Sequence, residues 1–208
     1  KLKAKHPGLK VLMSLGGWTL SANFSDAALT DESRKTLVKS CIDTFMSTGV
    51  FDGFDLDWEW PGSEGNPGNV IRPEDKQNFT KLVAEFRRQL GKKATLTAFL
   101  PAAPAKIDAG FEAKQIFKYL DFGSVQGYDF HGSGSDNSWE PDRTGHQANL
   151  YPDDQDPYAT RFSADTPCIV TCSGSPAPTP TTKISRMRGS LTTRARPARR
   201  GGARCGGR

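Results

Sequence analysis

The sequence has few cysteines and no long hydrophobic run. Its cysteines are Cys41, Cys168, Cys172 and Cys205. Cys41 fits a helical pattern of apolar residues and is expected to be a small buried side chain. The spacing of Cys168 and Cys172 lacks the second ligand pair of a zinc site, so the sequence predicts no metal and no cofactor. No stretch of about 18 apolar residues occurs, which argues against a membrane-spanning helix.

Residues 167–208 lack acidic and aromatic side chains altogether. They hold nine of the 28 basic residues, which leaves 19 basic against 23 acidic residues, a net charge of −4, in residues 1–166. The overall net charge of +5 therefore comes from the tail, and residues 1–166 are mildly acidic. A segment with so little to bury is expected to be disordered. We predict a folded body over residues 1–166 and a basic tail, rich in Pro, Gly and Arg, over residues 167–208.

Three interpretations of the tail remain open. The basic cluster 194–200 is typical of segments that bind nucleic acid or anionic surfaces. The Pro/Thr-rich stretch 176–182 resembles a linker, although no module follows it. An out-of-frame translation is the interpretation that we favour, because Arg, Gly, Pro and Ala are overproduced when GC-rich codons are translated in a wrong frame. The nucleotide sequence around codon 167 distinguishes it from the other two.

The segment Phe51–Pro61 contains acidic residues in strict alternation with bulky apolar ones. Asp55, Asp57 and Glu59 occupy every second position. Side chains at this spacing share one face of a strand and lie roughly 6.6 Å apart. The pattern predicts a strand that buries its apolar face and directs a row of carboxyls into a cleft. An acidic cation site or a solvated acidic turn is the alternative, but a solvated run would not alternate with Phe, Leu and Trp.

The close spacing of these carboxyls has a chemical consequence. Two ionised carboxylates about 6 Å apart repel by roughly 2.8 kcal/mol at an effective dielectric constant near 20, which is about two pKa units. One of them should therefore keep its proton near neutral pH. A neutral carboxyl beside an ionised one is suited to general acid catalysis, and glycoside hydrolysis is the best-known reaction that uses such pairs.

The segment from Asp52 to Glu59 fits the Asp-x-x-Asp-x-Asp-x-Glu signature of family 18 glycoside hydrolases, the chitinases. Three further segments resemble motifs of bacterial and fungal members and occur in the family's order. They are Ser14-Leu-Gly-Gly-Trp18, Gln126-Gly-Tyr-Asp-Phe-His-Gly132 and Thr144-Gly-His-Gln-Ala-Asn-Leu150. The resemblance covers about residues 8–166 and implies an α/β fold, the (β/α)8 TIM barrel.

Strand and helix patterns alternate along the body at the spacing of βα units. The predicted strands are 9–15, the acidic segment, 95–100 and 123–128, and the predicted helices run from Thr30 to Gly49, over 73–90 and over 113–119. By resemblance these are strands three to six of the eight. An open four-stranded sheet would expose two unpaired edges, so we expect a partial catalytic barrel of low stability.

The resemblance also implies catalytic roles for the acidic residues. Glu59 would be the general acid that protonates the glycosidic oxygen. Asp57 would orient the 2-acetamido group of the substrate, which attacks the anomeric carbon in place of an enzyme nucleophile. Asp55, together with Ser14 and Asp52, would hold Asp57 and tune its charge.

Further residues are expected to bind the sugar. Tyr128 would donate a hydrogen bond to the acetamido oxygen, and Asp129 would hold a sugar hydroxyl. Gln126 stands where the family more often has Met and would make the pocket wall polar. Exposed aromatic side chains in a cleft can stack on sugar rings. The candidates are Trp18, Trp60 and Trp139, whereas Trp58 is expected in the core.

The resemblance implies that chitin or chitooligosaccharides are the binding partners and that the enzyme is extracellular, although residues 1–6 are not a signal peptide. Two alternatives remain. A non-catalytic chitin-binding relative would usually lack an acid at the position of Glu59, and an endo-β-N-acetylglucosaminidase acting on N-glycans would keep it. Nucleic-acid binding would depend on the tail alone, and the sequence does not indicate an oligomeric state.

Overall fold

The computed structural model describes residues 1–131, 145–155 and 163–165. Its strands form one parallel sheet in the order β1-β2-β3-β4. The strands are β1 Leu12–Gly16, β2 Gly53–Asp57, β3 Thr95–Leu100 and β4 Phe122–Val125. The helices are α1 Leu2–Lys5, α2 Phe24–Leu29, α3 Asp31–Phe45, α4 Asp75–Leu90, α5 Pro104–Gly110 and α6 Ala113–Ile116. Since helices connect neighbouring parallel strands, the chain follows the repeated βα pattern of the predicted α/β fold.

The register of the sheet separates a polar face from an apolar one. Ser14 lies beside Asp55 in the first strand pair, and Asp55 lies beside Thr97 in the second. The intervening positions pair Met13 with Phe54 and Phe54 with Leu96. Because side chains alternate along a strand, the polar residues share one face and the apolar residues the other. The alternation predicted for the acidic strand is therefore confirmed in β2.

Helices α3 and α4 cover the apolar face. The Phe54 ring lies 5.5 Å from the Phe86 ring of α4, measured between centroids. The Trp58 ring, just past β2, stacks on Phe24 of α2 at 5.4 Å and meets Phe79 edge-on at 6.1 Å. Such aromatic pairs stabilise a core beyond the area they bury. Trp58 is 2% exposed, which confirms its predicted place in the core.

The ends of the two long helices follow from local sequence. Thr30 and Ser33 form a reciprocal capping box at the start of α3. A short 3₁₀ turn, Met46–Thr48, continues α3 to Gly49, whose φ of 67° is the left-handed conformation that commonly ends a helix. Gly91 ends α4. Both glycine stops were predicted, whereas α1, α2 and α5 were not, because each is too short for a clear helical period.

Some predictions fall on residues outside the described ranges. These are Trp139, Thr144 and the whole basic tail 167–208. The predicted boundary at residue 166 and the three interpretations of the tail therefore stay predictions. Within the described ranges, Cys41 is buried, as expected, and this burial raises the pKa of its thiol.

Candidate active site

The carboxyl ends of β1 and β2 meet at a close backbone contact. Gly16 pairs with Asp57 in the sheet, and the Gly17 N–H donates to the Asp57 carbonyl at 2.7 Å. Gly16 has a φ of 113°, and a Cβ at this position would lie 2.1 Å from the Asp57 carbonyl oxygen. A residue without a side chain is required here. The glycine pair in Ser14-Leu-Gly-Gly-Trp18 therefore allows the ends of β1 and β2 to approach each other.

Asp55 is held by hydroxyl groups from both neighbouring strands. Ser14 Oγ of β1 donates to Asp55 Oδ2 at 3.2 Å, and Thr97 Oγ1 of β3 donates to Asp55 Oδ1. Ser14 thus supports Asp55 directly and reaches Asp57 only through it. Thr97 was not predicted as a site residue, and its only sequence signal was its place in a strand next to the acidic one.

Asp57 is half-buried beside Asp55 and lacks full hydrogen bonding. Its Oδ1 atom has no hydrogen-bond partner among the described residues. Burial raises the pKa of Asp57 from 3.8 to about 6, and the negative charge of Asp55 contributes to this rise. Both effects disfavour a second negative charge in the row. Asp57 thus keeps its proton to a higher pH than an ordinary carboxyl, and its Oδ1 can accept or donate a hydrogen bond to a ligand.

We expect Asp57→Asn to stabilise the fold at pH 7 and to lose this advantage in acid. A carboxyl whose pKa rises from 3.8 to about 6 on folding holds its proton more tightly in the folded state. The free energy of unfolding therefore falls as the pH rises through that window. The variant lacks this titration, so its melting temperature should exceed that of the wild type by about 3–8 °C at pH 7. Melting curves from pH 3.5 to 7.5 measure the difference.

The exposed Asp43 provides a matched control for that comparison, since its carboxyl forms an ion pair with Lys39 at the surface of α3. Asp43→Asn should change the melting temperature little at any pH in this range. A constant difference between Asp57→Asn and the wild type from pH 3.5 to 7.5 would contradict the assigned pKa of Asp57.

Glu59 lies two residues past the end of β2, where side chains bind its backbone. The Glu59 N–H donates to Ser21 Oγ at 3.0 Å, and Asn69 Nδ2 donates to the Glu59 carbonyl at 2.8 Å. The peptide bond between Glu59 and Trp60 is cis. Neither Ser21 nor Asn69 was predicted as a site residue, because no motif pattern marks either of them.

Tyr128 lies close to the carboxyl row. Its side chain is 49% exposed and its ring stacks on Phe99 of β3 at 6.3 Å. Burial raises the pKa of the Tyr128 hydroxyl, and nearby carboxylates raise it further. Those carboxylates are Glu59, Asp57 and Asp129. The structure therefore brings the predicted tyrosine and the predicted acids together, and keeps the hydroxyl protonated as a hydrogen-bond donor.

Gln126 and Asp129, which lie before and after Tyr128 in the sequence, make different contacts. Gln126 is buried, and its N–H donates to the Leu100 carbonyl at 2.9 Å, which extends the contact between β3 and β4. Asp129 has a φ of 60° and accepts a long hydrogen bond of 3.4 Å from Gln147 Nε2. This hydrogen bond links the turn at Asp129, just after β4, to segment 145–155.

The aromatic residues predicted to stack on sugar divide into two cases. Trp18, two residues past β1, is 38% exposed. Trp60 is 1% exposed, stacks on Phe99 at 5.7 Å and lies under Lys106 Nζ. The expected exposure of Trp60 is therefore wrong, because the chain turns after Glu59 and packs this ring against β3 and α5. Of these two described candidates, Trp18 is the one that is open to a ligand.

The prediction that Asp52 supports Asp57 is also wrong. Asp52 precedes β2, and its Oδ2 accepts from the Val11 N–H at 2.8 Å and from Lys3 Nζ at 2.9 Å. The Val11 hydrogen bond holds the pKa of Asp52 below its usual value, and Lys3 lowers it further. Five residues of strand span roughly 16 Å, so Asp52 lies at the opposite end of β2 from Asp57. Its observed contacts tie the segment before β1 to the sheet.

The loop that follows Glu59 is anchored by the buried Asp75 at the start of α4. Asp75 Oδ1 accepts from Ser25 Oγ at 2.6 Å, and its Oδ2 accepts from the Arg72 N–H at 2.8 Å and the Gly62 N–H at 3.4 Å. The Arg72 guanidinium also donates to Ser25 Oγ at 2.8 Å. Both ends of the loop are thereby attached to the same fully buried carboxyl.

Within the part of the chain that the structure describes, no group of three or more His, Cys, Asp or Glu side chains is placed to hold a metal ion. The same ranges contain no helix with the length and apolar character needed to cross a membrane.

Comparison with known proteins identifies related sequences over most of the chain. The profile of the family described as glycosyl hydrolases family 18 matches residues 1–184. Chitotriosidase-1 of Mus musculus is 38% identical over 159 residues, which cover 72% of this chain and 32% of that protein. Chitinase A1 of Niallia circulans is 43% identical over 140 residues, which cover 64% of this chain and 20% of that protein. The chain thus spans a third or less of the length of these relatives.

Solved structures give the same result for the fold. The catalytic domain of the psychrophilic chitinase B from Arthrobacter TAD20 aligns with a TM-score of 0.76 and 49% sequence identity. The alignment covers 83% of this chain and 45% of that chain. The four parallel strands and their helices therefore correspond to part of the catalytic barrel of that enzyme.

Proposed function

The chain belongs to family 18 of the glycosyl hydrolases, and from this premise we propose that it hydrolyses β-1,4 linkages between N-acetylglucosamine units in chitin and chitooligosaccharides. The observation that carries the proposal is the row of Asp55, Asp57 and Glu59 at the end of one parallel strand, beside the hydroxyl of Tyr128. Active sites of parallel barrels are built at this end of the strands. Chitin is an insoluble polymer, which supports an extracellular location.

Glu59 acts as the general acid in the proposed reaction. It protonates the glycosidic oxygen, so that the leaving sugar departs as an alcohol. The carbonyl oxygen of the substrate's 2-acetamido group attacks the anomeric carbon and forms a cyclic intermediate. Water then opens this intermediate while Glu59 takes back a proton. Two inversions at the anomeric carbon give net retention, and no enzyme nucleophile is needed.

Asp57 and Tyr128 hold the acetamido group for this attack. The Oδ1 atom of Asp57, which lacks a partner among the described residues, accepts a hydrogen bond from the acetamido N–H. This bond strengthens as positive charge develops on the group. The Tyr128 hydroxyl, whose raised pKa keeps its proton in place, donates to the acetamido region. Asp55 stays between Ser14 and Thr97 and restrains Asp57 through its charge.

Trp18 is proposed to bind a sugar ring of the substrate. We expect Trp18→Ala to raise the KM for chitooligosaccharides by about 5–30-fold, because loss of one stacking contact costs about 1–2 kcal/mol. The kcat should change much less, since stacking on a sugar ring takes no part in the proton transfer. Steady-state kinetics on chitotrioside and chitotetraose measure both constants. Trp18→Phe, which keeps an aromatic face, should recover most of the loss, and an unchanged KM in Trp18→Ala would exclude a stacking role.

Hydrolysis of a fluorogenic chitotrioside by the 208-residue chain, from pH 4 to 8, tests the proposed function. A parallel assay for glycan release from an N-glycosylated protein separates a chitinase from an endo-β-N-acetylglucosaminidase. Cleavage of chitotrioside alone supports the proposal, and release of N-glycan alone would replace it. Binding to chitin without cleavage of either substrate would indicate a non-catalytic chitin-binding protein.

A further inference from the structure

The backbone of Glu59 lies beyond the hydrogen-bond ladder of the sheet. Strand β2 ends at Asp57, so strand pairing does not fix the main chain of Glu59. Yet both its N–H and its carbonyl are bonded, each to a side chain from a different loop. Those side chains belong to Ser21, which follows β1, and Asn69, which precedes α4. They take the place of strand hydrogen bonds at Glu59, the residue that transfers the proton in the proposed function.

Ser21 joins the ends of β1 and β2 through one buried hydroxyl. Its side chain is fully buried. The hydroxyl donates a hydrogen bond to the Gly17 carbonyl at 2.8 Å and accepts one from the Glu59 N–H at 3.0 Å. The Asp57 carbonyl oxygen lies 3.2 Å from the same hydroxyl and is a second possible acceptor for its proton. A hydroxyl has one proton and two acceptor lone pairs. Ser21 therefore accepts the hydrogen bond of the Glu59 amide, while its own proton is held by the Gly17 carbonyl.

Asn69 binds the other side of the same residue. Its Nδ2 donates to the Glu59 carbonyl at 2.8 Å. Its loop is held against the Ser21 segment, since the Val70 N–H donates to the Ala22 carbonyl at 3.2 Å. A Cβ on Gly65 would lie 2.2 Å from the Glu59 carbonyl oxygen. The Glu59 carbonyl thus lies against the Gly65 backbone, and Asn69 supplies its hydrogen-bond donor.

We propose that Ser21 and Asn69 are positioning residues that set the direction of the Glu59 carboxyl. The inference rests on the proposed role of Glu59 as the general acid. The Cα–Cβ direction of a residue follows from its backbone conformation, so groups that fix the Glu59 peptide units also fix where its carboxyl points. Displacement of a catalytic group by about 1 Å can cost about 10²-fold in rate.

Two substitutions remove these contacts with little change in volume. Ser21→Ala deletes the hydroxyl, and Asn69→Asp replaces the donor with a carboxylate that can only accept. Asn66→Asp introduces the same charge in the same loop and serves as the matched control, since Asn66 meets this network through its backbone carbonyl. Each variant is compared with the wild type by hydrogen exchange of the Glu59 amide and by kinetics on chitotrioside.

Ser21→Ala should speed exchange of the Glu59 amide at least tenfold while the amides of β2 and β3 keep their wild-type rates. Both Ser21→Ala and Asn69→Asp should lower kcat by about 10–100-fold with KM within about threefold of the wild type. Asn66→Asp should match the wild type in both measurements. Equal acceleration of all sheet amides, or a Glu59 amide as protected as in the control, would overturn the proposal.

The two measurements separate this inference from the proposed function. A wild-type chain that fails to cleave chitotrioside counts against the function, whereas hydrogen exchange still decides whether Ser21 fixes the Glu59 backbone. A wild-type chain that cleaves chitotrioside, with unchanged kcat in both variants, would leave the function intact and exclude positioning by these residues.

Discussion

Replacing Glu59 with glutamine is expected to reduce kcat for chitotrioside hydrolysis by about 10²–10⁴-fold, the usual contribution of a general acid. Glutamine has nearly the same shape but cannot donate a proton to the glycosidic oxygen. The contacts of Ser21 and Asn69 are made to the backbone of residue 59, so they survive the substitution. KM should therefore change by only a few-fold, and the fold should keep its stability.

The exposed Glu64 lies five residues further along the same loop and provides the matched control. Glu64→Gln removes the same charge and should retain the kcat of the wild type. Steady-state kinetics on the fluorogenic trioside, together with melting curves of all three proteins, check the expectation. Retention of more than a tenth of the wild-type kcat in Glu59→Gln would show that another group transfers the proton.

Replacing Asp75 with asparagine is expected to lower the free energy of unfolding by about 3 kcal/mol, since hydrogen bonds to a buried carboxylate contribute about 1.5–3 kcal/mol each. The carboxylate accepts from Ser25, Arg72 and Gly62 and is fully buried. Asparagine fills the same space but directs an NH₂ group at donors on one side. One or more buried donors then lose their acceptor, which carries the full cost of desolvation.

Urea unfolding followed by circular dichroism measures this change as a lower midpoint at an unchanged slope. Asp108 on α5 has an exposed side chain, and Asp108→Asn should stay within about 0.5 kcal/mol of the wild type. Since Asp75 anchors both ends of the loop that carries Asn69, Asp75→Asn should also speed exchange of the Glu59 amide. A midpoint equal to that of Asp108→Asn would show that the polar network around Asp75 is not stabilising.

The elements with strong local signals were predicted correctly from the sequence. The alternation around Asp55 predicted β2, and the apolar period followed by Gly49 or Gly91 predicted α3 and α4. These signals are local because a pleat or a helical turn relates residues only two to four positions apart. β4 is shorter than predicted, since it ends at Val125 and Tyr128 lies beyond it. The short helix α5 offered less than two turns of periodicity.

The two incorrect site assignments have a common cause. Asp52 belongs to the family signature, and Trp60 directly follows it, so both were placed at the site by proximity in sequence. Along a strand, however, five residues separate the two ends of the sheet, and Asp52 lies at the end that binds Lys3. Trp60 lies at the correct end but faces β3, where Phe99 buries it. Position along the chain does not fix which way a side chain points after a strand has ended.

The sequence by itself determined that Asp55 and Asp57 share one face of a strand, because a period of two places them there whatever surrounds the strand. It also predicted the family and the parallel α/β architecture. Only the tertiary structure decided what supports those residues. Thr97 reaches Asp55 across 42 positions of sequence, and Ser21 reaches Glu59 across 38. These contacts depend on strand register and loop packing, which arise when distant segments meet and leave no periodic pattern in the sequence.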